Sequence, residues 1–214
     1  MRACIFDLDG VLVDTAKYHF IAWRNLANKL GVEFSEHDNE QLKGLSRDAS
    51  LDYILTKGNI EATFEEREKW KEEKNKEYLA LVLKMNEDET LPNAKELLQE
   101  LKDNNIRIAL GSASKNAELI LDRVNIKHYF DAIIDGTKTS RSKPDPEVFL
   151  LGAKALNCEP HECIVFEDAL NGVKAAKAGG FYAIGIGEPE VLIEADQVYA
   201  SLASINFKML ELLS

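Results

Sequence analysis

The sequence predicts an α/β fold: a Rossmann-like, doubly wound parallel sheet with an α-helical domain inserted into it. Three observations lead there. The apolar run Ala3-Cys4-Ile5-Phe6 stops at Asp7-Leu8-Asp9-Gly10, and open parallel sheets bind ligands at the carboxyl ends of buried strands. From residue 106 onward, strand-like and helix-like stretches alternate, the pattern of a mostly parallel sheet covered on both faces. Between the first strand and the next strong strand signal, Ile106 to Leu110, lies far more chain than the roughly 30 residues of a βαβ unit.

Each element has its own reason. Residues 15–30 carry Ala16, Phe20, Trp23, Ala27 and Leu30 at helical spacing and stop at Gly31, a helix with a glycine end. Residues 46–55 and 62–83 also read as helices. The insertion is therefore residues 15–87, hinged near Val13-Asp14 and near Glu87–Thr90, and the sheet domain is residues 1–14 and 88–214. In that domain the expected order is helix 92–104, strand 106–111, helix 115–124, strand 132–134 and helix 146–156. Strand 163–166, a helix after Asp168, strand 182–185 and a closing helix from Ala203 follow. Asp145 is the expected N-cap of helix 146–156, with Pro146 at its first position. The Lys143-Pro144 bond is open to either isomer.

At 214 residues the chain is long enough for a substantial core and a smaller second unit. No repeat or low-complexity tract is present. A net charge of -11 repels polyanions and argues against nucleic acid and anionic membranes as partners. No apolar run approaches the roughly 20 residues of a spanning helix, and no signal-peptide pattern opens the chain. A cytoplasmic monomer is the expectation. Three cysteines are too few for a disulfide framework, and Cys4 and Cys163 sit inside apolar runs as small hydrophobes. Cys158, His161 and Cys163 raise a zinc question, but no fourth ligand accompanies them.

Asp7 and Asp9 are two apart in extended chain and so point to one side. They suit a single reacting group, or else a plain Asp-rich turn. Ser112 follows the run 106–111, Lys143 opens Lys143-Pro144-Asp145-Pro146, and Glu167-Asp168 ends the run 163–166. Each polar group stands just past a hydrophobic run, hence on one sheet edge. Mg²⁺ prefers a few carboxylates plus water and phosphate oxygens, and Asp7 and Asp168 fit it. Glu167 suits direct ligation, orientation of a metal-bound water, or simple helix capping. The amides after Ser112, at the start of the helix near Lys115, favour an anion, although Ser112-Ala113-Ser114 also reads as a strand-to-helix turn. Lys143 is a counter-charge for transferring oxygens or a solvated loop lysine.

In this order, DLDG at 7–10, a strand ending in Gly111-Ser112, SKPDP at 142–146 and FEDALNG at 166–172 resemble the haloacid dehalogenase superfamily of phosphoryl-transfer enzymes. The likeness spans nearly the whole chain. DGVLVDTAKYHFIAW at 9–23, NEQLKGLSRD at 39–48 and GSASKN at 111–116 resemble its branch that interconverts β-glucose 1-phosphate and glucose 6-phosphate. The resemblance implies that the insertion is a helical cap. It implies Asp7 as nucleophile, becoming an aspartyl phosphate, and Asp9 as general acid and base, with Ser112 and Lys143 completing the catalytic set. It implies Mg²⁺ on Asp7, the Asp9 carbonyl, Glu167 and Asp168.

For a sugar phosphate, the resemblance implies Arg47 with Ser114, Lys115 and Asn116 at the distal phosphate. His19, Trp23, Ser50 and Lys74 would serve at the sugar, Gly44, Ser46 and Ala113 around them, and Thr15 at the hinge. Other uses of these residues stand beside it. Lys74 suits amphipathic packing, His19 a satisfied histidine by the core, and Arg47 a surface ion pair with Asp48 or a nearby acid. A phosphatase for a small sugar or polyol phosphate, and a non-catalytic phosphate binder, are the competing functions.

Overall fold

A computed structural model describes residues 1–42 and 45–212. Its sheet is built from β1 (Ala3–Phe6), β2 (Arg107–Gly111), β3 (Ala132–Ile134), β4 (Cys163–Glu167), β5 (Tyr182–Ile186) and β6 (Gln197–Tyr199). The spatial order is β3-β2-β1-β4-β5-β6, and every neighbouring pair is parallel. The order reverses at β1, the central strand, and a crevice at such a switch point is where this architecture binds ligands.

Burial explains the strand composition. β1 is buried along its whole length, and successive side chains enter opposite apolar layers, Cys4 and Phe6 on one face, Ala3 and Ile5 on the other. Helices α5 (Ala94–Asp103), α6 (Ala117–Arg123), α7 (Glu147–Ala155), α8 (Leu170–Ala178) and α9 (Phe207–Glu211) belong to the sheet half of the chain. Leu97, Leu98 and Leu101 of α5 fill the first layer, and Val148, Phe149 and Ala153 of α7 the second.

Among the described residues the insertion holds helices α1 (Ala16–Lys29), α2 (Glu36–Gln41), α3 (Arg47–Gly58) and α4 (Phe64–Val82). Helices α1 and α3 share an apolar cluster around Trp23, Leu26, Phe34, Leu51 and Ile54, against which Trp70 of α4 packs. Ala22, Tyr78, Val82 and Met85 instead join the cluster of Leu8 and Leu12, so the base of the insertion packs onto the sheet half. The two connections run side by side: Val13 bridges Thr90, Asp14 N–H donates to Glu89 O at 3.3 Å, and Lys17 pairs with Glu89 at 2.6 Å.

Several expectations are corrected. Helix α2 is an element the sequence does not predict, because Glu36–Gln41 is entirely polar and gives no periodic signal. Its start was nonetheless legible, since Ser35 and Asp38 form a reciprocal capping box. Helix α6 begins at Ala117, two residues later than expected. Helix α7 begins at Glu147 with Pro146 at the cap position, while Asp145 Oδ1 still accepts the Glu147 N–H at 3.0 Å. The closing helix divides into a 3₁₀ turn at Leu202–Ser204 and α9, which is capped by Asn206. β6 is a three-residue edge strand, too short to stand out in the sequence. The Lys143–Pro144 bond is cis. Cys158 and Cys163 are buried thiols in an apolar cluster. Among the described residues, the metal-competent group is Asp7, Glu167 and Asp168, and none of the helices there is long and apolar enough to cross a membrane.

Candidate active site

Strand pairing brings the acids together. Phe6 and Phe166 are register partners whose rings stack at 4.4 Å, so the next residues, Asp7 and Glu167, emerge side by side. Asp7 N–H continues the pairing to Phe166 O at 2.9 Å. Lys143 Nζ then lies 2.6 Å from Asp7 Oδ1 and 3.0 Å from Glu167 Oε2, and 4.7 Å from the centre of the Phe149 ring. Burial lowers the pKa of this ammonium, but Asp7 and Glu167 more than reverse that and hold it above the ordinary lysine range. It is not the solvated loop lysine the sequence also allowed.

Two glycines make room for carboxylates. Gly10 has φ +79°, and a Cβ there would lie 2.1 Å from Asp168 Oδ2. A Cβ on Gly172 would lie 2.0 Å from the Glu167 carboxyl carbon. Oxygens of Asp7, Glu167 and Asp168 lie within 4.8 Å of one another, and Glu167 Oε1 is buried without a hydrogen-bond partner. Three carboxylates, one of them with a buried oxygen that lacks a partner, are hard donors of the kind a Mg²⁺ ion takes, so the residues present fit that cation. Glu167 is fully buried, and burial followed by the Asp7 charge pushes its pKa well above the usual carboxylate range.

Asp9 sits against the same cluster. Burial, then the charges of Asp7 and Asp168, raise its pKa to about 8, so near neutrality it carries a proton. Thr15 donates its hydroxyl hydrogen to Asp9 Oδ1. Two carboxyls two residues apart thus have different environments, one salt-bridged to lysine and one with a raised pKa.

A cavity of about 390 Å³ opens above them. Its walls include Asp7, Asp9, Ser112 and Lys143 on the sheet side, and His19, Trp23, Ser46, Arg47, Ser50 and Lys74 on the insertion side. Ala113, Ser114, Lys115 and Asn116 also line it. Thr15 and Glu167 are buried behind that wall, and Gly44 lies outside the described residues. The loop after β2 is partly self-satisfied, because Ser114 N–H donates to Ser112 Oγ at 3.1 Å and Asn116 N–H to Ser114 Oγ at 3.3 Å. Ser46 Oγ likewise accepts the Ala49 N–H at 3.2 Å as the cap of α3.

On the insertion side, Lys74 Nζ lies 3.0 Å from His19 Nδ1 and 4.6 Å from the ring centres of both Trp23 and Tyr78. Burial and the Arg47 charge bring the Lys74 pKa down to about 7. Burial, Lys74 and Arg47 hold His19 well below its usual value, so the imidazole is neutral. Arg47 does not pair with Asp48, which instead engages Lys71. Its Nη2 donates to Asn75 Oδ1 at 2.7 Å, and Asn116 Nδ2 donates to the same oxygen at 3.0 Å. Asn75 therefore ties the insertion to the loop after β2. The sequence reading missed it: an asparagine among the charges of α4 has no distinguishing spacing. It also missed Asn39 and residues 139–142 in the cavity wall.

A parallel sheet with acids, a lysine and a serine at its switch-point edge defines a phosphoryl-transfer site of the haloacid dehalogenase type, and residues 1–180 match the model of the haloacid dehalogenase-like hydrolases. The chain belongs to that family. Over 212 residues, 98% of this chain and 94% of the relative, it is 41% identical to β-phosphoglucomutase of Bacillus subtilis. It is 32% identical to a phosphorylated carbohydrates phosphatase of Thermotoga maritima, across 92% of this chain and 93% of that one. The crystal structure of β-phosphoglucomutase from Clostridium difficile superposes with a TM-score of 0.96 at 42% identity, covering 100% of this chain and 96% of that one.

Proposed function

We propose that the protein is a β-phosphoglucomutase, interconverting β-D-glucose 1-phosphate and D-glucose 6-phosphate through an aspartyl phosphate on Asp7 and β-glucose 1,6-bisphosphate. One observation carries the choice of a mutase: a single cavity is lined by Ser112 and Lys143 beside the nucleophile Asp7 on the sheet side, and by a second anion-suited group, Arg47, which shares Asn75 Oδ1 with Asn116. A bisphosphate needs both. The similarity to the Bacillus subtilis enzyme over nearly the full length supports the same reading.

In the forward direction Asp7 carries the phosphoryl group and the sugar presents its 6-hydroxyl. Asp9, having given its proton to the sugar oxygen that left when Asp7 was phosphorylated, takes the hydroxyl proton as the oxygen attacks phosphorus and the bond to Asp7 breaks. The bisphosphate turns around, with Arg47, Lys115 and Asn116 gripping the phosphate not in transfer. Asp7 then attacks the 1-phosphoryl group, and Asp9 returns its proton to the leaving oxygen, so one residue serves both half-reactions. Lys143 and Ser112 hold the phosphoryl oxygens. Mg²⁺ on Asp7, Glu167, Asp168 and the Asp9 carbonyl would add positive charge where those oxygens gather. His19, Trp23, Ser50 and Lys74 recognise the sugar. The helical cap, residues 15–87, closes over residues 1–14 and 88–214 and keeps water from the aspartyl phosphate.

The test supplies protein, Mg²⁺, β-glucose 1-phosphate and a trace of the bisphosphate, and follows glucose 6-phosphate and free phosphate together. Glucose 6-phosphate as the main product is expected. Free phosphate as the main product would reject the mutase in favour of a phosphatase.

Arg47→Ala is expected to lower mutase turnover by one to two orders of magnitude, since a charge-assisted hydrogen bond contributes roughly 1.5–3 kcal/mol. Labelling of Asp7 by acetyl phosphate, which has no distal phosphate to grip, should fall much less. Equal losses in both assays, in a protein with an unchanged circular dichroism spectrum, would make Arg47 a structural residue only.

A further inference from the structure

Arg47 is a half-buried cation of the cavity wall, and among the described residues it makes no ion pair. Its neighbour Asp48 engages Lys71. The acids of α4 that flank Asn75 turn toward α1 instead: Glu73 pairs with Lys29 at 3.7 Å, and Glu77 accepts from Asn25. What Arg47 meets is a neutral group. An arginine only donates, so the oxygen of the Asn75 carboxamide faces it, at 2.7 Å, and the same oxygen receives Asn116 Nδ2 at 3.0 Å. The three residues come from three elements: Arg47 opens α3, Asn75 lies within α4, and Asn116 immediately precedes α6. Arg47 and Asn116 belong to the cavity wall, whereas Asn75 stands behind it.

The chemistry of that oxygen decides what it can do. A guanidinium carries five N–H donors in a rigid fork; one is given to Asn75, which leaves the others for an anion. A carboxylate at position 75 would orient the fork equally well, but it would pair with the charge and compete with any phosphate. A carboxamide orients the fork without neutralising it. We propose that Asn75 is the positioning residue of the anion site formed by Arg47 and Asn116. It is a neutral acceptor that holds the two donors together across the two halves of the chain and leaves the guanidinium charge to the second phosphate of a sugar bisphosphate. The inference rests on the grip of Arg47 on the phosphate not in transfer, proposed above.

The test is rapid-quench labelling of Asp7 by isotopic β-glucose 1,6-bisphosphate, compared with labelling by acetyl phosphate, which has no second phosphate. Asn75→Ala should lower kcat/KM for bisphosphate labelling about three- to tenfold, chiefly through KM, while acetyl phosphate labelling falls much less. In an Arg47→Ala background the same substitution should cost almost nothing more. Asn75→Asp keeps the shape and the acceptor. It should nonetheless lower bisphosphate labelling about ten- to a hundredfold, with a thermal midpoint equal to or above wild type, because its carboxylate pairs with Arg47. A residue that merely ties the two halves together would tolerate Asp and suffer from Ala. Wild-type bisphosphate labelling in Asn75→Asp, equal losses with both donors in Asn75→Ala, or an undiminished loss in the Arg47→Ala background would each overturn the proposal. Labelling precedes the passage of the phosphoryl group to sugar or water, so a wild type that only releases phosphate would refute the mutase and leave this test intact. Arg47→Ala with undiminished bisphosphate labelling would refute the grip of Arg47, and this proposal with it.

Discussion

Asp7→Asn is expected to abolish phosphoenzyme formation while leaving the fold intact. The carboxamide has nearly the shape of the carboxylate but lacks the charge and the free oxygen that attack phosphorus. Folding should tolerate it because Lys143 keeps a second carboxylate, Glu167, at 3.0 Å, so no buried ammonium is left without a counter-charge. The measurement is labelling with isotopic acetyl phosphate followed by denaturing electrophoresis, with circular dichroism in parallel. Label should fall below detection with an unchanged spectrum. Undiminished label would reject Asp7 as the nucleophile, and loss of the spectrum would mean that the Asp7–Lys143 pair is needed for folding itself.

What could be read in the sequence depended on how each residue advertises itself. The catalytic edge was legible because every member stands just past an apolar run: Asp7 after 3–6, Ser112 after 107–111, and Asp168 after the strand that ends in Glu167. Sheet topology did the rest by making those ends neighbours. The long helices of the insertion were legible through periodicity in α1 and through length in α4. Polar elements that owe their position to tertiary contacts were not. α2 has no apolar face, and its buried Asp38 is held by Tyr53 and Lys57, contacts that form only on folding. Asn75 looks like any surface residue of α4, yet it joins Arg47 to Asn116. Gly172 reads as a residue of the family motif, and its reason, the space it leaves for Glu167, is visible only in three dimensions.

The same dependence on contacts makes Lys143 the residue whose loss should disturb both stability and chemistry. Lys143→Met keeps the length of the side chain and its packing on Phe149, and leaves Asp7 and Glu167 facing each other without a cation. Removing one partner from a buried ion pair costs about 3–5 kcal/mol, which in a chain of this size lowers the thermal midpoint by roughly 6–20 °C. The loss should depend on pH in a definite direction. An acid whose folded pKa is raised above its unfolded value, as that of Glu167 is, stabilises progressively less as pH rises from the unfolded pKa through the folded one. Without Lys143 that pKa rises further, so the gap between variant and wild type should widen as pH climbs past the raised wild-type Glu167 value in metal-free buffer. Mg²⁺ should recover more of the midpoint in the variant than in wild type, because it replaces the missing positive charge among Asp7, Glu167 and Asp168. Phosphoenzyme formation with Mg²⁺ present should still fall by about 10²–10³, the effect of removing one preorganised group that stabilises transferring oxygens. Wild-type midpoint and labelling together would make Lys143 a bystander. A lowered midpoint with undiminished labelling would confine it to holding Asp7 and Glu167 in place.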